Sequence, residues 1–515
     1  MAFEKLLKEL NKRKNRALQQ GGPERVKRQH DRGLLTARER IERLLDPDTF
    51  VEFGLLACSD MPGMEERTPA DGLITGYGLI NKRQIGIVAN DFTVLASSNA
   101  RIYSKKAKKM RDQVTEKGFP LVWLGESGGG RLPDIQGAKG MASLSGEHGE
   151  RSMFSQYTHI RKTPWVIAIM GQCNGVPMWQ ACLSDFVVQV KGSTLSVSGS
   201  RALKRSIASI DSDEDMGGWK IHAELTGMSD QVAEDEEDCF RIIKEFLDYM
   251  PSNNKELPPV RPIPQGSGKN MDHILDILPE KRNRAYNMYK IVELIVDGGK
   301  IFDLKPFFGK TVITCLARID GRVVGFIANQ PIVNVGSMNT DALEKMTSFI
   351  CFCDSFNIPL IFLHDIPGFW VGKEAEIKKV GAKVTNALEA LAQVTVPKIS
   401  IIIRKSYGQA MINMCGPSAG PDFIVAWPTG EAGFLDPDIA ADVAYGALPE
   451  EERKALKEKM VLDAEPYPLA QEYYIQDIID PRETRDYIIN VLNIIRNSEN
   501  GGMSEHLLSN WPTKF

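Results

Sequence analysis

The sequence predicts an α/β protein made of two tandem domains, each with mainly parallel strands, related to one another by an internal repeat. Three observations predict it. The chain has 515 residues, too long for one compact core and natural for two domains of about 200–250 residues. Short apolar runs of strand length alternate with helical stretches, the pattern of strands buried on both faces. Matching segments recur in the same order at a nearly constant offset.

The N-terminus, Met1 to Gln20, is charged and amphipathic. It lacks the apolar core and small-residue cleavage site of a signal peptide. Thr36-Ala37-Arg38-Glu39 reads as a capping box for a helix carrying Ile41, Leu44 and Leu45. A hairpin around Asn81-Lys82 precedes a helical stretch from Ala100 to Lys117. The strand Pro120 to Leu124 then runs into the glycine-rich turn Glu126 to Arg131. The strand Trp165 to Met170 runs into Gly171 to Pro177.

Pro251 to Asn270, rich in Pro, Asn, Gly and Ser, reads as the join. Domains are therefore expected at 1–255 and 270–515. The same grammar follows it: a hairpin at Asp320-Gly321 (a strong type I′ signal) and a helix from Thr340 to Ser355. The strand Pro359 to Leu363 enters Asp365 to Phe369, and the strand Ile399 to Ile403 enters Arg404 to Ala410. Tyr467 to Arg496 reads as helix, with Pro481 opening a new one.

The repeat is explicit. Ile80 to Asn90 matches Ile319 to Asn329 at an offset of 239 residues, and Pro120 to Leu124 matches Pro359 to Leu363 at the same offset. Glu126 meets Asp365. Pro164 to Ile169 meets Pro397 to Ile402, and Asp185 to Val188 meets Asp422 to Val425.

Composition excludes several classes. Net charge is -4, which argues against a nucleic-acid coat. Eight cysteines stand apart with no CxxC pair, so neither a zinc ribbon nor a disulfide framework is expected, and reduced thiols in the cytoplasm are. No apolar run reaches the roughly 18 residues of a membrane span. No metal-binding or nucleotide-binding motif stands in a convincing context. Asp211 to Asp215 reads as a solvated acidic loop, Glu234 to Asp238 as a solvated helix face. Lys105 to Lys109 reads as an exposed helix face more readily than as a phosphate contact. Gly125-Glu126-Ser127-Gly128-Gly129 fits the nucleophile elbow of serine hydrolases. The repeat places Ile366 opposite Ser127, and no histidine carries a supporting signature, so this reading is set aside.

The strand-end turns are where an α/β fold places ligands. Small residues there let a ligand oxygen approach backbone N–H groups, the usual form of an oxyanion hole. One such turn per half predicts two cradles. The alternative for each is a glycine that only turns the chain.

Several segments resemble one family. Arg25 to His30, Gly33 to Ile41 and Leu44-Leu45-Asp46 look like the N-terminal signature of biotin-dependent acyl-CoA carboxylase β subunits, of the propionyl-CoA carboxylase β kind. The likeness continues at Asp71 to Gly78, Asn90 to Val94, Ser127-Gly128-Gly129, Asp365 to Phe369, Arg404 to Gly408, Ala426 to Thr429 and Ile479 to Arg485.

The resemblance implies two crotonase-like domains, each a ββα superhelix, in a carboxyltransferase subunit. It implies CO2 transfer from carboxybiotin to the α-carbon, or a vinylogous carbon, of an acyl-CoA. Acyl-CoA is expected mainly on the N-terminal domain and biotin mainly on the C-terminal one, with the N-domain of one subunit facing the C-domain of another. The enolate cradle maps onto Gln409 and Ala410, and the cradle for the biotin ureido oxygen onto Gly175 and Val176. Gly128, Gly129, Gly368, Tyr407 and Gly408 are the expected cofactor-binding residues, and no metal is expected.

The sequence holds neither a biotinyl-lysine motif nor an ATP-binding carboxylase domain. Biotin is therefore expected on a partner chain, a biotin carboxylase or biotin carboxyl carrier subunit. A homo-oligomer, usually a hexamer, is implied, with no nucleic acid and no membrane span.

Departures from the family pattern gather at the site. The usual G-P-C-A-G-G-A stands as Gly171 to Pro177, where Pro177 has no N–H to donate. The usual Y-G-G-A-Y stands as Tyr407 to Met411. Gly130, Leu132-Pro133-Asp134 and Gly433 to Pro437 also depart. The alternatives left open are a decarboxylase subunit running the same chemistry backwards, a biotin-independent CoA-thioester hydrolase or hydratase, and a noncatalytic scaffold. The acyl group is open.

Overall fold

The fold is seen in a computed structural model that describes residues 2–144, 155–208 and 210–511. The chain divides into two compact units, Met1–Asn253 and Asn254–Phe515. Residues 254–269 run along the second unit. Arg261 N–H donates to Gly321 O at 2.9 Å, and the Asn357 amide donates to Asn254 O and Glu256 O, each at 2.8 Å.

Among the described residues each unit carries one eight-stranded sheet. Unit 1 holds β1 (Val51–Phe53), β2 (Leu73–Ile80), β3 (Arg83–Asn90), β4 (Leu121–Ser127), β5 (Trp165–Asn174), β6 (Phe186–Val190), β7 (Thr194–Ser196) and β8 (Gln231–Ala233). Unit 2 holds β9 (Ile301–Asp303), β10 (Val312–Ile319), β11 (Arg322–Asn329), β12 (Leu360–Ile366), β13 (Lys398–Tyr407), β14 (Phe423–Ala426), β15 (Glu431–Gly433) and β16 (Asp477–Ile478). The orders are β1-β2-β3-β4-β5-β6-β8, with β7 on β5, and β16-β14-β13-β12-β11-β10-β9, with β15 on β13. The first three strands of each unit pair antiparallel and the remainder parallel. The expected α/β class is therefore observed, as two parallel-rich sheets.

The registers repeat residue for residue. Leu73 pairs with Asn90 as Val312 pairs with Asn329, and Gly86 meets Leu121 as Gly325 meets Leu360. Even the irregularities coincide: the register shifts between Gly125 and Ser127, and again between His364 and Ile366. The isolated bridge Asn99–Gly130 recurs as Met338–Phe369. The central strands are largely apolar in their first halves, with Trp123, Ile167 and Ile169 in one core and Ile361, Leu363, Ile399 and Ile401 in the other. Each such side chain removed from water contributes about 1.5–3 kcal/mol.

Both hairpin loops are left-handed at two residues, Asn81 and Lys82 in one unit, Asp320 and Gly321 in the other, as a type I′ turn requires. Each loop is clasped by an upstream carboxylate. Asp46 accepts from the N–H groups of Asn81 (3.1 Å) and Lys82 (2.8 Å). Asp297 accepts from Asp320 (3.1 Å) and Gly321 (2.7 Å). Each carboxylate follows a short helix, Ala37–Leu44 or Tyr289–Ile295, closed by one extended residue. The duplication thus begins earlier than the sequence comparison shows. The Thr36 capping box forms as expected.

The Arg101–Lys117 and Thr340–Ser355 helices occupy the expected spans. Their lysines correct one expectation. Lys105 and Lys109 are exposed, but Lys106 is not. Its Nζ donates to the carbonyls of Gly54 (3.1 Å), Ala70 (2.8 Å) and Leu73. The equivalent Lys345 donates to Phe308 O (3.1 Å) and Val312 O (2.7 Å). Leu73 and Val312 open equivalent strands, so one device anchors both hairpins. Burial lowers Lys106 to about 8 and Lys345 to about 7.

Two further expectations fail. Glu236, expected on a solvated face, is buried and paired with Arg40. The run Tyr467 to Arg496 is not continuous helix, because β16 separates Pro466–Gln471 from Thr484–Arg496. β16 is drawn into the sheet beside β14, which a helical pattern in isolation cannot show.

Candidate active site

In unit 1 the site is built from the ends of β4 and β5. Gly128 N–H donates to Ala96 O at 2.8 Å, and Gly129 N–H to Ser127 Oγ at 3.2 Å. Gly129 sits at a φ of 103°, which glycine tolerates. Beside it Gly175 (φ 72°) opens the helix Val176–Leu183. A Cβ on Gly175 would lie 3.9 Å from Gly129 Cα, so the two turns face one another. Ser127 is buried and its Oγ donates to Ser97 O at 2.9 Å. No histidine touches it among the described residues, which leaves the hydrolase elbow without a base.

The expected donor pair Gly175 and Val176 needs correction. Gly175 N–H is spent on Ser196 O, at 3.0 Å. Val176 stands at the first helical position, where an N–H has no acceptor within the helix. Pro177 has none to give. One donor therefore remains at this helix start.

In unit 2 the equivalent place is the end of β13. Pairing with β7 and β15 sets the correspondence: Asn174 pairs with Ser196, and Tyr407 with Gly433. Gly175 thus matches Gly408, Val176 matches Gln409 and Pro177 matches Ala410. The expected pairs 175/176 and 409/410 are one residue out of step. Gly408 has φ 59°, and a Cβ there would come within 2.9 Å of Phe434 O, so only glycine fits. Gly408, Gln409 and Ala410 begin the helix Gly408–Asn413, and all three carry N–H groups without acceptors inside it. Gln409 is exposed and Ala410 buried. Gly368 lies two residues past Ile366, whose strand partner is Ser406, so it borders the same turn. Its carbonyl accepts from Met338 N–H at 3.1 Å.

Tyr407 was expected to touch cofactor. Its hydroxyl donates to Glu431 at 2.7 Å and accepts from Arg282 at 3.4 Å. Burial, with the Glu431 carboxylate alongside, pushes its ionisation upward.

Behind each turn lies the carboxylate pair seen in the repeat. Glu126 is fully buried and takes Arg40 (2.8 Å), Arg32 (3.0 Å) and Gln29 (2.7 Å). Arg40 also holds Glu236. A Cβ on Gly171 would lie 2.7 Å from the Glu126 carboxyl, so β5 approaches this carboxylate through a glycine. Asp365 takes Arg404 Nε at 3.0 Å and Lys405 N–H at 3.3 Å. Burial raises the Asp365 carboxyl, and Arg404 opposes the rise. Arg32 lies over Phe92 and Arg404 over Tyr286, each 4.9 Å from the ring centroid. The acids are legible in the repeat, and these partners are not. Arg40 and Arg404 come from unrelated places in the two halves, so the repeat carries no signal of them.

Among the described residues no group of three or more His, Cys, Asp or Glu could hold a metal ion. The Asp211–Asp215 stretch forms a capped helix start, with Ser212 and Asp215 bonded reciprocally. Among the described residues no helix is long and apolar enough to cross a membrane.

Residues 28–505 match the family model of the carboxyl transferase domain. The chain belongs to this carboxyltransferase family. It is 34% identical over 496 residues to the methylmalonyl-CoA decarboxylase subunit alpha of Veillonella parvula, covering 94% of this chain and 95% of that one. It is 34% identical to the mitochondrial propionyl-CoA carboxylase beta chain of Homo sapiens, covering 94% and 89%. The crystal structure of the transcarboxylase 12S, with methylmalonyl-coenzyme A and methylmalonic acid bound, superposes with a TM-score of 0.89 at 31% identity, covering 95% and 96%. This carboxyltransferase is an enzyme of the acyl-CoA carboxylase β-subunit kind.

Proposed function

We propose that this carboxyltransferase moves a carboxyl group from biotin on a partner chain to the α-carbon, or a vinylogous carbon, of an acyl-CoA. The supporting observation is the recurrence of one glycine-opened helix start at the end of the same strand in both units, in a chain matching the carboxyl transferase family over nearly its whole length. Each unit is read as a crotonase-like domain, unit 1 taking mainly acyl-CoA and unit 2 mainly biotin. The partner is read as a biotin carboxylase or carrier subunit, and the assembly as a hexamer in the cytoplasm. The hexamer reading draws on the transcarboxylase 12S, whose structure is described as a hexamer assembly.

Bound biotin supplies the carboxyl group and a basic ureido nitrogen. This chain's residues do the remainder. The Gln409 and Ala410 N–H groups take the thioester oxygen as charge gathers on it, when the α-proton leaves. The Val176 N–H takes the ureido oxygen. Backbone donors fixed in place before reaction need no reorganisation, and each is worth about 10²–10³ in rate. Holding the two reactants in register supplies the second large contribution.

Decarboxylation is the second reading. The Veillonella decarboxylase subunit is as similar to this chain as the human carboxylase chain is. The full chain is assayed with free biotin, and with its biotinylated partner, across acyl-CoAs and their carboxylated forms. Biotin-dependent carboxylation supports the first reading. Turnover only of carboxylated thioesters supports the second. Thioester cleavage or hydration without biotin would sink both.

A further inference from the structure

The turn carrying Gln409 and Ala410 is held from outside by one guanidinium. Arg282 belongs to no helix or strand; it lies in the segment preceding the Tyr289–Ile295 helix. Its Nε and Nη2 grip Glu431 at 3.0 and 2.6 Å. Nη2 also reaches Asp436 at 3.2 Å and the Tyr407 hydroxyl at 3.4 Å, and Nη1 reaches Asp438 at 2.9 Å. Lys405 adds a second cation to Asp436 at 3.0 Å, and Lys457 pairs with Asp438.

These acids belong to a strap, Glu431 to Asp438, that closes around the Gly408 turn. Its start is β15, paired to Lys405, Ser406 and Tyr407. Gly433 lies on the Tyr407 ring, since a Cβ there would be 3.4 Å from it. Phe434 O lies against Gly408 itself. Asp436 caps the helix Pro437–Tyr445, whose first turn, with Asp438, completes the strap. Tyr407 is the residue immediately before the donors, and its hydroxyl shares the Glu431 oxygen that Arg282 holds. The Arg282 segment is itself tied to β13, because Arg404 donates to Arg284 O at 2.8 Å.

We infer that Arg282 is a positioning residue for carboxyl transfer, pinning the Glu431–Asp438 strap and Tyr407 so that the N–H groups of Gln409 and Ala410 keep their aim. This rests on the function proposed above. A planar fork with five donors is required, because Glu431, Asp436, Asp438 and Tyr407 are served from different edges. A lysine keeps the charge but is a single point and cannot serve all four.

The test uses the full chain as wild type, Arg282→Lys and Arg282→Met, with two readouts. The first is hydrogen exchange of peptides spanning 404–414 and 430–440. The second is biotin-dependent decarboxylation with free biotin across the panel of carboxylated acyl-CoAs, methylmalonyl-CoA among them, analysed as kcat and KM on the one the wild type turns over fastest. Exchange in both peptides is expected to quicken in Arg282→Lys and more in Arg282→Met. The kcat is expected to fall about tenfold and about a hundredfold respectively, the scale of a 1 Å misplacement, with KM within about twofold. Unchanged exchange in the folded Arg282→Lys protein overturns the pin. Quickened exchange with wild-type kcat overturns the positioning role. A fall in activity explained by KM alone makes Arg282 a binding residue and also overturns it. A wild type with no biotin-dependent turnover overturns the functional reading and the positioning role with it, while exchange still decides the pin.

Discussion

The turns after β5 and β13 share one backbone course and are held by opposite chemistry. In unit 1 the contacts are neutral or singly charged: Ser196 Oγ to Asn174 at 2.8 Å, and Gln172 to Asp213 at 3.5 Å. In unit 2 the equivalent positions carry Tyr407 and Lys405, inside a net of three carboxylates and three cations. The donors differ in the same sense. Unit 1 keeps one N–H, because Ser196 consumes that of Gly175 and Pro177 lacks one. Unit 2 keeps three. Under the proposed function, duplication preserved where an oxygen would be met, and the two copies diverged in how strongly it would be met. The richer cradle suits an oxygen that gains full charge, the poorer one a carbonyl that stays nearly neutral.

The comparison can be broken first at the clasps. Asp297 is buried and also holds Arg485, whereas Asp46 serves an exposed loop. Asp297→Ala strands a buried guanidinium and is expected to cost about 3–5 kcal/mol. Asp46→Ala is expected to cost about 1 kcal/mol. Urea titrations of both variants give the answer, and equal losses would deny that the clasps differ. At the cradles, Ala410→Pro removes a donor in a first turn that accepts proline. Turnover is expected to fall about 10²–10³-fold with the fold intact. Wild-type turnover in this variant would remove Ala410 from the site.

A third test concerns Lys345. Burial lowers it to about 7, below its unfolded value, so between these values the unfolded chain binds the extra proton. Stability from this residue therefore rises with pH across that window and is lowest below about pH 7. From pH 7 to 9 the wild type is expected to gain about 2–3 kcal/mol relative to Lys345→Met. Parallel stability curves would show that the amine is charged when buried. The smallest effect is expected at Pro177. Pro177→Ala gives unit 1 a second N–H, and turnover should rise by about fivefold, the worth of one ordinary hydrogen bond. A fall would mean that Pro177 shapes the turn rather than limiting it.

Much of the scaffold is legible in the residues. The matched runs at an offset of 239 placed strands, hairpins and two long helices, because each is encoded locally by periodicity and turn chemistry. The glycines of both turns were found for the same reason. What escaped is non-local. Gly175 loses its N–H to β7, a three-residue strand whose pairing no local pattern announces. Lys106 sits between exposed lysines, so its burial is hidden in a run that reads as solvated. Asp46 and Asp297 stand at a different offset from the hairpins they clasp. Arg282 serves acids roughly 150 residues away, in a segment with no periodicity of its own.

Arg40 carries this furthest. It bridges Glu126 and Glu236, the latter 196 residues later. At about 5–20 residues per second, a ribosome needs roughly 10–40 s to make that stretch. For that time the Ala37–Leu44 helix, which carries Arg40, is without its second counter-ion. The N-terminal half therefore cannot lock until translation has nearly finished it. A chaperone that holds nascent chains would meet this protein in that interval.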